Sequence, residues 1–154
     1  MCTIRNILNI LSGFLTPTIA ILAIWIAYRQ YKIQEYRVRF DLYGARITIY
    51  ESIMKFLSTV RQKGTASDDE LFTFLRETSR SKFLFKGEME KHIDAIYDKA
   101  VELQYVQKQL SNEALPVGQD RTNFAKQARE HFKWLGEQHD KTNKMFIKYI
   151  KLDK

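Results

Sequence analysis

Between Arg5 and Arg29 the chain carries 23 consecutive residues without a charged side chain. As a helix this stretch is about 34 Å long, enough to cross a bilayer core of about 30 Å. Its second half is the denser one, running Ile19-Ala20-Ile21-Leu22-Ala23-Ile24-Trp25-Ile26-Ala27-Tyr28. A cleaved signal peptide fits poorly, because the leading part has a single arginine and no small-x-small site follows the apolar run. The spacing therefore predicts one transmembrane helix within residues 1–28. Pro17 cannot donate to the carbonyl of Gly13, which predicts a kink or a late helix start there.

Flanking charge sets the expected orientation. Arg29, Lys32, Arg37 and Arg39 follow the run within eleven residues. Excess Lys and Arg marks the cytoplasmic side, so residues 29–154 are expected in the cytoplasm. Trp25, Tyr28, Arg29, Tyr31 and Lys32 then form the expected membrane-interface group, because amphipathic rings favour the headgroup level. Gly13, Thr16, Ala20, Ala23 and Ala27 recur at spacings of 3, 4, 3 and 4. Such a stripe of small side chains lets two helix backbones approach closely in lipid, so these residues are the expected helix-association face of a homo-oligomer.

Beyond the anchor the pattern is helical throughout, and no stretch alternates with period two. Expected helices span about 29–62, 67–82, 88–113 and 120–152. On the first, Tyr36, Phe40, Tyr43, Ile47, Tyr50, Met54 and Leu57 alternate in steps of 4 and 3, and Leu42, Ile49, Ile53, Phe56 and Val60 widen the stripe into a core face. Ser67-Asp68-Asp69-Glu70 reads as a capping box, followed by Leu71, Phe72, Phe74 and Leu75. Phe83-Leu84-Phe85 reads as a loop or short helix plugged into the core. Met89, Ile93, Ile96, Ala100, Leu103, Val106 and Leu110 share one side of the third helix. Asp120 is the expected cap of the last, whose face is Phe124, Ala128, Phe132, Leu135, Phe146, Tyr149 and Ile150. The fold class is all-α: a single N-terminal transmembrane helix continuing into a small antiparallel helical bundle.

Several motifs, taken together, resemble a group of small uncharacterised bacterial and phage membrane-anchored proteins. They are Phe14-Leu15-Thr16-Pro17, Ala27-Tyr28-Arg29-Gln30, Phe40-Asp41-Leu42-Tyr43, Ile49-Tyr50-Glu51, and Phe83-Leu84-Phe85 before Gly87-Glu88. The resemblance covers roughly residues 10–105. It implies a bacterial or phage origin and one N-terminal anchor, hence a bacterial inner-membrane location, and supplies neither an activity nor catalytic residues.

Enzymatic chemistry has little to build on. One cysteine excludes a disulfide framework and a cysteine-built zinc site. His131 and His139 lie eight residues apart, about 12 Å along a helix, too far to share a metal. His92, flanked by Glu88, Glu90 and Asp94, is expected on the solvated surface. No Walker loop, His-Glu-x-x-His or Gly-x-Ser-x-Gly motif occurs. The reading is accordingly non-enzymatic, with no catalytic, cofactor or metal site.

Charge is segmented. Residues 29–63 hold eight basic and three acidic side chains, residues 64–115 seven and ten, and residues 116–154 nine and five. Interleaved acids and the lack of a known motif argue against nucleic acid as a partner. Lys141, Lys144, Lys148 and Lys151 share a face that is either solvated or laid on a membrane. The expected function is a single-pass inner-membrane protein presenting a cytoplasmic helical interaction or oligomerisation domain to an unknown cytoplasmic protein. The alternative is a membrane-perturbing effector, or a phage exclusion or lysis protein, acting through assembly of its transmembrane helix.

Overall fold

The structure is a computed structural model that describes residues 2–112 and 118–150, with side chains from Pro17 onward and excluding Ile150. Among the described residues it is all-helical: α1 (Cys2–Lys63), α2 (Asp68–Thr78), the single turn α3 (Ser81–Leu84), α4 (Gly87–Leu110) and α5 (Gln119–Ile150). The chain divides into two compact units, Met1–Asp41 and Leu42–Lys154.

In the first unit α1 runs through Pro17 and is already helical at Cys2, so the late start expected at the proline does not occur. From Pro17 to Asp41 every side chain is exposed. Among the described residues no helix is long and apolar enough to cross a membrane. The uncharged stretch read as a span begins among residues 6–16, whose side chains lie outside the described residues.

The second unit is a bundle whose helices run antiparallel to their neighbours. The last quarter of α1 meets late α5, since Tyr50 packs on Phe146 with ring centroids 5.0 Å apart. Phe56 of α1 stacks on Phe74 of α2 at 4.4 Å. The middle of the unit is α4, which packs against α2, α3 and α5. Its buried line is Met89, Ile93, Ile96, Ala100, Leu103 and Val106, as its apolar spacing predicts.

Local chemistry explains where the elements end. Gly64 closes α1 with φ +77, and its N–H returns to the Val60 carbonyl at 2.8 Å, a left-handed cap that disfavours any side chain. The capping box of α2 is present: the Glu70 N–H donates to Ser67 Oγ at 3.4 Å and the Ser67 N–H to Glu70 Oε2 at 2.8 Å.

Several expectations are corrected. The core face of α1 is Ile49, Ile53, Phe56, Leu57 and Val60. Tyr36 and Phe40, placed on that face by periodicity, are 69% and 72% exposed, because among the described residues the first unit contains no helix besides α1, and Leu42 is exposed too. Leu71 and Phe74 are buried on α2 while Phe72 and Leu75 face outward. Helix α2 stops at Thr78 rather than residue 82, and α3 takes up the irregular segment. Only Phe85 of the Phe83-Leu84-Phe85 run is fully plugged into the core, whereas Phe83 is 79% exposed. Asp120 lies inside the first turn of α5 and is not its cap. Instead Thr122 bonds back to the Gly118 carbonyl through both its N–H and its hydroxyl.

Candidate functional site

The residues singled out for the membrane interface occupy about two turns of α1 in the first unit. Trp25, Tyr28, Tyr31, Arg29 and Lys32 are all exposed. The i, i+4 spacing of a helix brings them together in pairs. The Arg29 guanidinium lies 4.8 Å from the Trp25 ring centroid, and Lys32 Nζ lies 5.5 Å from that of Tyr28. Cation–ring contacts of this kind are worth about 0.5–1 kcal/mol in water and more when desolvated. Between Pro17 and Arg29 the exposed side chains carry no charge: Ile19, Ile21, Leu22, Ile24 and Ile26 cover about 220° of the helix circumference, and the small Ala20, Ala23 and Ala27 fill the remainder. An apolar stripe confined to one face suits docking against a single neighbour, whereas a helix apolar all round is suited to burial, in a protein core or in a membrane.

Of the helix-association residues, Ala20, Ala23 and Ala27 are exposed along the helix. Gly13 and Thr16 lie outside the described side chains.

The second unit contains three polar pins that sequence reading missed. Arg46 donates through Nε to the Leu84 carbonyl at 3.2 Å and through a terminal nitrogen to the Tyr149 carbonyl at 3.1 Å. One guanidinium therefore joins α1, α3 and α5. The Tyr50 hydroxyl hydrogen-bonds Asn143 Oδ1. His92 is buried at 5% exposure, correcting its expected surface placement, and its Nε2 is hydrogen-bonded to Thr142 Oγ1 at 2.8 Å. Burial first, and the nearby Lys141 charge second, lower its pKa to about 4, so the ring is neutral near pH 7. Gln138 and Thr142 complete the buried face of α5, which the sequence disguises by placing polar residues there. Gln138 donates to the Trp134 carbonyl at 2.8 Å, and its Oε1 has no hydrogen-bond partner among the described residues.

Two grooves flank α1 in this unit. One, of about 450 Å³, lies against α5 over Leu57, Val60 and Leu135, with Arg61 and Asp140 at its edges. The other, of about 210 Å³, lies against α2 between Phe56 and Phe74. Neither groove is lined by a histidine or a cysteine. Among the described residues no group of three His, Cys, Asp or Glu side chains is placed to hold a metal ion. His131 Nδ1 instead lies 3.7 Å from Glu102 Oε2, and His139 Nδ1 lies 3.7 Å from the adjacent Asp140 carboxylate.

No protein-family model matches the chain, no curated protein matches it in sequence, and no solved structure matches it in fold. The resemblance noted from the aromatic motifs accordingly assigns no family.

Proposed function

We propose that the chain is a non-enzymatic, single-pass inner-membrane protein that presents a cytoplasmic helical interaction domain. The observation that carries this reading is the exposed, uncharged surface of α1 before Arg29, where Ile19, Ile21, Leu22, Ile24 and Ile26 cover about 220° of the circumference and small alanines the rest, bordered by the Arg29–Trp25 and Lys32–Tyr28 pairs. Burying such side chains is favourable by about 1.5–3 kcal/mol each, and a helix uncovered on all sides recovers this only in lipid or a complete protein envelope. The span is the 23-residue uncharged stretch as a whole, of which the described side chains form the second half. The following basic residues favour a cytoplasmic second unit. Its work is to hold a protein partner, or further copies of itself, at the membrane.

The test is alkaline extraction of membranes from bacteria expressing the full chain, paired with reporters fused after Lys154. Retention in the pellet with a fluorescent cytoplasmic reporter is the expected result. Release into the supernatant removes the anchor, and an active periplasmic phosphatase reverses the orientation.

A further inference from the structure

Phe83 is the most exposed large apolar side chain among the described residues, at 79%. It occupies the α3 corner, where the chain turns from α2 to α4, and it is held outward because Ser81 and Phe85 on either side are buried. Its neighbours are cationic: Arg80, Lys82 and Lys86 are exposed, and Lys82 Nζ lies 5.2 Å from the Phe83 ring centroid. Glu88, in the first turn of α4, is the nearest acid in sequence. A second basic element reaches the same end of the bundle. Arg46 ties the Leu84 carbonyl to the Tyr149 carbonyl, and the Phe85 and Tyr149 rings meet edge to face at 5.2 Å. The last turns of α5 therefore lie beside the corner. From Lys141 to Lys148 these turns carry three lysines and no acid. All three lysines are exposed, and so is Ile147 between them.

We infer that this end of the second unit is a docking face for an anionic bilayer surface. Charge complementarity chooses the occupant. Two cationic clusters attract anionic headgroups at about 1 kcal/mol per Lys or Arg near the surface, while Phe83 and Ile147 supply apolar groups that enter the headgroup boundary. A second copy docking through the same face would bring like charges together, which disfavours self-pairing there. The face acts without the transmembrane span, so the two proposals fail separately.

The experiment uses the full chain with Cys2→Ser and a single new thiol at Phe83→Cys, labelled with an environment-sensitive dye and reconstituted with vesicles. A Phe72→Cys chain is the control, since Phe72 is 71% exposed on α2 and remote from the corner in sequence. Vesicles of phosphatidylcholine alone are compared with vesicles that also contain phosphatidylglycerol. The expected result is a blue shift and a several-fold intensity gain at position 83 with phosphatidylglycerol only. The gain is reversed by about 1 M salt, where the screening length falls to about 3 Å, and it is lost in Lys82→Glu/Lys86→Glu. Position 72 stays unchanged. An equal signal in both vesicles, or none in either, overturns the docking face. A signal that rises with protein concentration without vesicles overturns it in favour of a second copy. Sedimentation of the same samples in high salt reads the anchor: loss of vesicle binding there counts against the span and leaves the low-salt dye result to decide the face.

Discussion

His92 of α4 and Thr142 of α5, fifty positions apart, meet through a 2.8 Å hydrogen bond inside the helical core. Both are buried, so each satisfies the polar group of the other at a place where water does not reach. Because the His92 pKa is lowered to about 4 from 6.5, the unfolded chain binds a proton across that interval and the folded chain does not. Stability is thus retained above pH 6.5 and lost as pH falls toward 4, by about 3 kcal/mol in all. Urea denaturation of the full chain in detergent at pH 7 and pH 4.5 is expected to show this loss, and His92→Gln to remove most of it. Thr142→Val leaves the ring unpartnered and is expected to cost about 1–3 kcal/mol at pH 7. An unchanged midpoint in Thr142→Val places the pair outside the folded core.

Arg46 joins three elements through two backbone carbonyls. Arg46→Met keeps much of the stem and removes both charged donors, at a cost of about 2–3 kcal/mol. Arg46→Lys is expected to rescue little, since a single ammonium lacks the planar fork. Hydrogen exchange provides the local readout: amides of α3 (Ser81–Leu84) exchange faster in Arg46→Met, and protection equal to the parent rejects the pin.

The buried faces of α1 and α4 are open to a direct contrast with the uncovered part of α1. Ile96→Ala removes a fully buried side chain, and Phe56→Ala one nearly so. Each is expected to cost about 2–5 kcal/mol. Phe40→Ala lies on the uncovered part of α1 and is expected to change stability by less than about 0.5 kcal/mol. Thermal melts of the three variants decide the matter, and a large loss in Phe40→Ala would mean that something covers this segment in solution.

Association through the small residues of α1 rests on the proposed span. Replacing Ala20 and Ala23 with leucine fills the close approach and is expected to weaken crosslinking between copies in membranes, while Leu22→Ala has little effect. Indistinguishable crosslinking in the parent and both variants removes the stripe from any interface.

Local chemistry was legible from residue order alone. The Ser67–Glu70 capping box and the apolar line of α4 each depend on side chains three or four positions apart, so no distant partner is needed to form them. Helix class follows for the same reason. Periodicity also ranked Tyr36 and Phe40 with the core of α1, yet it defines only which way a side chain points along a helix. Whether that direction meets a neighbour depends on where the neighbour ends. In the second unit α1 is covered from about Arg46 onward, where α5 begins to lie beside it. Only the tertiary structure decided that His92, Gln138 and Thr142 are interior, because a polar side chain enters a core when another helix supplies its hydrogen bond or fills the space around it. It likewise decided that Arg46 spans three elements and that Phe83 is turned outward. Those outcomes are set by contacts between residues tens of positions apart, which spacing along a single helix cannot encode.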